Sequence, residues 1–172
     1  MPASRADLEA RLAEMGIVVV TKEHAPAFTA AESSAVDLGL PGAHTKNLFL
    51  RDDKGTLVLV IAKSSTKIDL KALSKRLAAG RFSFAKPDLL MTYLGVMPGS
   101  VTAFAVINDP ACRVKVIIDQ ELFASDSLNC HPLENTATTN IARDDLLRFI
   151  RATGHEPKVV TLAESATAAT SI

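Results

Sequence analysis

Two apolar runs in the first half of the chain, residues 47–50 and 57–62, constrain the fold more than any other feature. A polar stretch, residues 51–56, joins them, and strand-like runs on either side of a short polar connection predict a β-hairpin. Lys46 directly precedes the first run. The prediction therefore places a lysine at the entrance of an antiparallel pair of strands.

Capping residues and apolar positions at helical spacing predict five helices. They run from Ser4 to Gly16, from Thr29 to a stop at residues 39–42, from Asp69 to Gly80, from Pro87 to about Gly95, and over residues 144–153. Strands are predicted at residues 17–20, 101–107 and 113–119 and around Cys130 and Thr138, with those from Val101 onward antiparallel.

Strands and helices do not alternate regularly, which argues against a doubly wound parallel sheet. We therefore predict a single α+β domain, with a mixed, mostly antiparallel sheet and helices packed outside it. The domain is expected to span residues 1–162. Residues 163–172 are compositionally simple and lack the apolar periodicity needed for docking, so they are predicted to form a flexible tail.

Composition narrows the class of protein. With 172 residues, 48% of them hydrophobic, the chain can bury one core. Its 19 basic and 19 acidic side chains cancel, so a polyanionic partner must be bound by a local patch. No apolar stretch approaches the roughly 20 residues of a membrane helix, and Cys112 and Cys130 lack CxxC spacing. We expect a soluble cytoplasmic protein with no membrane partner and no disulfide.

Motifs for several chemistries are missing from the sequence. No P-loop, GxGxxG, HExxH or GxSxG pattern occurs, so phosphoryl transfer, dinucleotide binding and serine hydrolysis lack support. Four histidines are scattered without the spacing of metal ligands, and neither a metal nor a cofactor is expected. Cys130 and His131 resemble a nucleophile and its base, but neighbours in a strand point to opposite faces. Cys130 is therefore predicted to be buried, with His131 facing a pocket.

Positive charge is concentrated between residues 63 and 86, where one acid, Asp69, faces seven basic side chains. Lysines repeated every four residues repel one another and slightly disfavour a helix, and an anionic partner would reduce that repulsion. A solvated helix face explains the same pattern, and both interpretations stay open. The basic residues are Lys63, Lys67, Lys71, Lys75, Arg76, Arg81 and Lys86.

Two peptides, residues 40–50 and 94–104, place a Pro-Gly pair ahead of an apolar run. Such a pair can free backbone N–H groups that stabilise an oxyanion, although it can equally form an ordinary turn. Together with residues 80–84, 107–109, 131–135 and 145–149, these peptides resemble the prolyl-tRNA editing family, the YbaK/ProX-like deacylases. The resemblance runs from about Ala6 to Pro157.

The resemblance implies a barrel-like mixed sheet with outer helices, and hydrolysis of the ester between an amino acid and the terminal adenosine of tRNA. It is strongest to the freestanding branch that clears alanine from the proline tRNA. The implied partners are mischarged tRNA(Pro) and, as a candidate, prolyl-tRNA synthetase. By position, Lys46 and Asn47 match the family's site lysine and asparagine, and His131 matches the histidine of its HP motif.

Residues 99–103 match the family's GxxxP loop, which shapes the amino-acid pocket, but Ala103 stands where the family has proline. Proline would fix φ, so we expect Ala103 to loosen the loop and to leave the substrate choice open. The implied catalytic residues are Lys46, Asn47, Gly99 and His131. The implied substrate-binding residues are His44, Thr45, Pro98, Ser100, Val101, Thr102 and Ala103, and the implied tRNA-binding residues are Lys63, Lys67, Lys71, Lys75, Arg76 and Arg81.

An aminoacyl ester is already activated, so its hydrolysis needs a placed water and a stabilised oxyanion but no covalent nucleophile. We expect Lys46 and backbone N–H groups near Gly99 to bind the oxyanion or a phosphate, and Asn47 and His131 to orient the ribose or the amino group. Three alternatives remain: a deacylase for cysteine or serine, a non-catalytic nucleic-acid-binding module, and a small-molecule hydrolase. The last would leave the basic residues unexplained.

Overall fold

A computed structural model describes residues 2–26 and 39–162 as one α+β domain. Eight strands form a single sheet in the order β1-β7-β6-β2-β3-β5-β8, with β4 paired to β2. The strands are β1 Val20–Glu23, β2 Ala43–Asp52, β3 Leu57–Lys63, β4 Phe82–Phe84, β5 Val114–Asp119, β6 Ser127–Cys130, β7 Ala137–Ala142 and β8 Lys158–Val160. The predicted mixed sheet is confirmed, but it stays open between β1 and β8, whereas a barrel-like closure was expected.

Within the described ranges, four α-helices pack outside this sheet: α1 Arg5–Glu14, α2 Leu70–Arg76, α3 Pro87–Leu94 and α4 Arg143–Ala152. All four were predicted. Ser4 forms a capping box with Asp7 at the start of α1, and the Asp69 carboxylate accepts from backbone N–H groups at the start of α2. Gly95 ends α3 in the left-handed conformation. The predicted short helix from Thr29 and the predicted flexible tail lie outside the described residues.

The predicted hairpin is formed by β2 and β3. However, β2 begins at Ala43, so Lys46 lies inside the strand, paired with Ala62, and the prediction that it marks the hairpin entrance is wrong. Polar side chains precede the apolar run and continue the backbone pairing, as Thr45 does opposite Lys63. Because an apolar pattern marks only the buried part of a strand, it missed this polar beginning.

The second half of the sheet differs most from the prediction. Residues 101–107 were predicted to be a strand, but Ala103–Asn108 form a 3₁₀ helix, in which Thr102 Oγ1 accepts from the N–H of Phe104. A short apolar run that is buried all round gives no periodicity to separate helix from strand. β5 pairs in parallel with β3 and β8, so the predicted antiparallel order holds only for β6 and β7.

Smaller differences concern the short elements. The first strand begins at Val20, three residues later than the start of the predicted 17–20 run. β4, β8 and a second 3₁₀ helix, Gln120–Ala124, were not predicted. No helix in the described residues is both long and apolar enough to cross a membrane.

Both faces of the central strands are buried, and β3 separates the two cores. Its residues at odd positions, Leu57 to Ile61, face core A, which contains buried side chains from α1, α3, α4 and the Ala103–Asn108 helix. Its residues at even positions, Val58 to Ala62, face core B, which α2 covers through Leu73. The same alternation applies to β2, where Phe49 belongs to core A and Leu50 to core B.

Candidate active site

One edge of β2 loses its partner halfway along the strand. β3 pairs with the other edge throughout the hairpin. On the edge in question, β6 pairs only with Ala43 and His44, and β4 pairs only from Leu50 onward. We call residues 45–49 the open segment of β2. In the described part of the chain no strand pairs with the middle of this segment.

Hydrogen bonds show which residues face the open edge. The Phe49 carbonyl accepts from Ala85 N at 2.9 Å, on the β4 side, whereas the His44 carbonyl accepts from Ser64 N at 2.8 Å, on the β3 side. Successive residues of a strand direct their backbone N–H and C=O groups to alternate edges. Asn47, two residues from Phe49, therefore presents its backbone amide and carbonyl to the open edge.

The side chain of Asn47 has an unfilled acceptor. It points to the core A face of β2, as Phe49 does. Its Oδ1 is buried and has no hydrogen-bond partner among the described residues. An unsatisfied buried polar atom costs roughly 1–3 kcal/mol, so such atoms are rare unless a ligand completes them. Asn47 therefore offers an acceptor for a hydrogen-bond donor on a substrate.

Lys46 points to the opposite face, towards core B. Its Nζ donates to the carbonyl oxygen of Thr66, and the Thr66 hydroxyl donates to Glu121 Oε2 at 2.8 Å. Burial lowers the pKa of Lys46, and the nearby charge of Asp119 partly opposes that shift. The lysine is thus half-buried and held in place. Lys46 and Asn47 both lie in the open segment, but their side chains point to opposite faces of the sheet. Only a ligand that binds at the sheet edge can therefore contact both.

His131 borders the open segment on the β6 side. β6 runs parallel to β2, with His44 paired to Asn129. If this register is continued past the end of β6 at Cys130, residue 131 lies level with Lys46. His131 Nδ1 lies 3.0 Å from the carbonyl oxygen of Ala137, so Nδ1 carries the hydrogen and Nε2 the lone pair. Burial lowers the pKa of His131; the bond to Ala137 opposes this, and the charge of His24 adds to it. Burial therefore favours the neutral form of the imidazole.

His24 is a site residue that the sequence analysis missed. Its ring lies 6.1 Å from the ring of His131, centroid to centroid, and its Nε2 lies 2.8 Å from Thr138 Oγ1. The two histidines are far apart in sequence, and only the neighbouring positions of β1, β7 and β6 bring them together. No local pattern around His24 could have indicated this.

Cys130 takes no part in a catalytic pair. It is buried in core A, and burial raises the pKa of its thiol to about 11. Thr45 Oγ1 lies 2.7 Å from the carbonyl oxygen of Asn129, to which it donates, and 3.5 Å from Cys130 Sγ. The predicted buried position of Cys130 is confirmed, and Thr45 uses its hydroxyl to hold β6 against β2.

The GxxxP-like loop begins with a tight turn. Gly99 has a φ of 90°, which favours glycine, and Ser100 N donates to the Met97 carbonyl at 3.0 Å. Val101 packs against core A, on the Asn47 side of β2. Ala103 is fully buried, so core packing holds the end of the loop where the family has a proline ring. The loop leads from the surface into the core. Pro98 is exposed, Gly99 and Val101 are half-buried, and Ser100, Thr102 and Ala103 are buried.

Four of the basic residues lie on the core B side of the molecule, the side that Lys46 faces. Lys71, Lys75 and Arg76 lie on α2, which covers core B, and Lys67 precedes this helix. All are exposed and, within the described ranges, none forms an ion pair. We call the following set the basic surface: Lys63, Lys67, Lys71, Lys75, Arg76 and Arg81. In residues 2–26 and 39–162, no three His, Cys, Asp or Glu side chains group to hold a metal.

The chain is similar to known proteins over most of its length. Residues 24–149 match the model of the aminoacyl-tRNA editing domain. The prolyl-tRNA editing protein ProX of Acetoanaerobium sticklandii is 36% identical over 154 residues, which cover 89% of this chain and 94% of that protein. The prolyl-tRNA synthetase associated domain-containing protein 1 of Danio rerio is 36% identical over 159 residues, 91% of this chain and 86% of that protein.

Solved structures show the same fold. A crystal structure provisionally assigned as a trans-editing enzyme for prolyl-tRNA synthetase superimposes with a TM-score of 0.70 and 21% identity. The match covers 96% of this chain and 100% of that one. At this level of identity the likeness establishes only the arrangement of strands and helices.

Proposed function

This chain belongs to the aminoacyl-tRNA editing domain family, and on that premise we propose that it removes alanine from mischarged proline tRNA. It is an aminoacyl-tRNA deacylase, a hydrolase that cleaves the ester between an amino acid and the terminal adenosine. Its relatives named for prolyl-tRNA editing support the proline tRNA as the carrier. The observation that carries the proposal is the unfilled acceptor of Asn47 beside the open edge of β2.

The chemistry of an aminoacyl ester fits that acceptor. The amino acid carries an α-ammonium group next to the ester carbonyl, and Asn47 Oδ1 would accept a hydrogen bond from it. Hydrogen bonds to a charged group contribute about 1.5–3 kcal/mol, more than neutral ones. With the ammonium fixed there, the ester carbonyl would lie along the open segment, where the backbone amide of Asn47 also points.

The other site residues then have distinct roles. Lys46, held by the Thr66 carbonyl, supplies a positive charge to the oxyanion of the tetrahedral intermediate or to the adjacent phosphate. Backbone N–H groups near Gly99 add donors from the core A side. His131, whose ring is held by the bond from Nδ1 to the Ala137 carbonyl, orients a ribose hydroxyl that helps to position the attacking water. No step requires a covalent nucleophile.

The loop at residues 99–103 would select the amino acid by size. A small pocket excludes a larger side chain by clash more strongly than it distinguishes among small ones by contact. Proline is therefore excluded sterically, while cysteine and serine are the rivals to alanine. Prolyl-tRNA synthetase, a candidate partner, would be the source of the mischarged tRNA.

A deacylation panel tests the proposal directly. The purified protein is mixed with proline tRNA charged with alanine, cysteine, serine or proline, and the loss of each ester is followed. We expect alanine to be released at least about tenfold faster than proline, because a clash of one to two methylenes is worth about 1–3 kcal/mol. Faster release of cysteine or serine would show that this amino acid, and not alanine, is the substrate. Release of none of the four would reject the proposed function.

The basic surface is proposed to bind the tRNA backbone. Replacing Lys71 and Lys75 by glutamate should raise KM for alanyl-tRNA about tenfold at moderate salt, with kcat little changed, and should flatten the dependence of KM on salt. Lys54→Glu, on the hairpin turn, is the matched control. If the wild-type protein binds tRNA without turnover, and the double variant loses that binding, the non-catalytic binding module is the correct alternative.

A further inference from the structure

A second group of reactive side chains lies outside the editing site. Cys112 is exposed, and its Sγ lies 4.0 Å from Nδ1 of His155. Nε2 of the same histidine lies 2.8 Å from Oδ2 of Asp109. Both His155 and Asp109 are buried, at 4% and 3% exposure. A thiol, an imidazole and a carboxylate thus form a continuous chain from the surface into the core.

The hydrogen bonds around His155 fix which nitrogen can take a proton. An ionised Asp109 carboxylate only accepts, so Nε2 of His155 carries a hydrogen. The hydroxyl of Thr153 lies 2.6 Å from the carbonyl oxygen of Ile150, to which it donates, and 2.8 Å from Nδ1. Since the only hydrogen of this hydroxyl points to Ile150, Thr153 Oγ1 can accept a hydrogen bond from Nδ1. Nδ1 can therefore take the proton of the Cys112 thiol and hold it in a bond to Thr153 Oγ1. Every polar group is satisfied in that state.

The backbone is built closely around this sulfur. Cys112 has a φ of 54°, a left-handed conformation that is uncommon for a residue with a side chain. Gly154 lies directly against it, since a Cβ added at Gly154 would approach Cys112 Sγ to 2.9 Å. The sulfur is therefore held next to His155 by the backbone on both sides.

Cys112 also lines a cavity of about 340 Å³. Apolar side chains form much of its wall, among them Leu77 and Ala79. Two lysines, Lys115 and Lys158, and one acid, Glu156, also line it. The cavity thus combines a thiol, an apolar wall and a net positive charge, which suits a small anionic ligand.

This cavity is separate from the editing site. Lys46 pairs with Ala62 on β3, whereas the strand that follows Cys112 pairs at Val114 with Leu57. Five residues of β3 separate those positions, or roughly 17 Å at about 3.3 Å per residue. The editing reaction makes no use of Cys112 or His155.

We propose that Cys112 is a modification site that forms a mixed disulfide with a small anionic disulfide. His155 Nδ1 takes the proton of the Cys112 thiol, and the thiolate attacks one sulfur of the bound disulfide. The original S–S bond breaks as the new bond to Cys112 Sγ forms. The released half leaves as a thiolate and takes the proton from His155. The bound disulfide is the oxidant, and no other reactant is needed.

Glutathione disulfide, which is small and anionic, serves as the probe. The folded protein and a synthetic peptide of residues 107–116 are each exposed to it at pH 7.4, and the modified cysteine is identified by mass spectrometry. We expect Cys112 to react about tenfold faster in the protein than in the peptide, because the peptide lacks His155. Cys112→Ser, which keeps the buried Cys130, should remain unmodified. Equal rates in protein and peptide, or modification at Cys130, would overturn the proposal.

Two further variants separate the roles of the histidine and the cavity. His155→Gln should bring the rate within about twofold of the peptide, with retention of fold judged by an unreactive Cys130. If that variant does not fold, Lys115→Glu combined with Lys158→Glu still tests whether the cavity binds an anionic disulfide. This surface change should slow glutathione disulfide about tenfold and leave the uncharged hydroxyethyl disulfide unaffected. Equal slowing of both reagents, or of neither, contradicts the proposed anionic site.

Discussion

Lys46→Met should lower kcat/KM for alanyl-tRNA by about 100- to 1,000-fold, the range found when one group that stabilises an oxyanion is removed. The lysine is half-buried and fixed to Thr66, so no solvent cation can replace it at the open edge of β2. Methionine keeps the length of the side chain. Methionine removes a charged amine whose pKa burial lowers, but it also leaves the Thr66 carbonyl without its donor, so we expect the free energy of unfolding to change little.

The measurement is single-turnover deacylation over a range of enzyme concentrations, which gives the maximal rate and the half-saturating concentration, with thermal unfolding recorded for each variant. Lys63→Met is the matched control, since Lys63 lies on the neighbouring strand opposite Thr45 and is exposed. We expect it to raise KM several-fold and to leave the single-turnover rate near that of wild type. A Lys46→Met protein that deacylates at the wild-type rate would show that Lys46 is a structural or tRNA-binding residue only.

Local rules predicted the parts of the fold that local interactions decide. Ser4 and Asp69 cap helices as expected, Pro87 opens one, and the polar connection between residues 50 and 57 forms a hairpin. The parallel pairing of β5 with β3 could not be predicted this way. Parallel strands are not joined by a turn, so nothing in the intervening sequence specifies which strands become neighbours.

The candidate site was only partly predictable for the same reason. Asn47 and Lys46 were indicated by resemblance, but that they lie on opposite faces follows from β2 starting at Ala43. The open segment depends on where β4 and β6 leave β2, and β4 itself was not predicted. His24 joins His131 only because β7 lies between β1 and β6. These are long-range pairings, which a pattern of apolar residues does not record.

Asn47→Leu should separate stability from activity. Leucine has nearly the shape of asparagine and no polar atom, so it removes a buried acceptor that has no partner in the described chain. We expect the free energy of unfolding to rise by about 1 kcal/mol, because the penalty for the unsatisfied atom disappears. Deacylation should fall roughly 10- to 100-fold, which corresponds to the loss of a hydrogen bond to an ammonium group.

The same substitution at Asn129 provides the control for Asn47→Leu. Asn129 is also buried, but its Nδ2 donates to the Pro41 carbonyl at 2.9 Å and its Oδ1 accepts from Asn140 at 3.0 Å. Asn129→Leu removes both hydrogen bonds and, at about 1 kcal/mol each, should lower the free energy of unfolding by about 2 kcal/mol. Chemical denaturation and single-turnover deacylation of both variants give the comparison. If Asn47→Leu is instead destabilised as much as Asn129→Leu, Asn47 serves the fold, and the ammonium must be bound elsewhere.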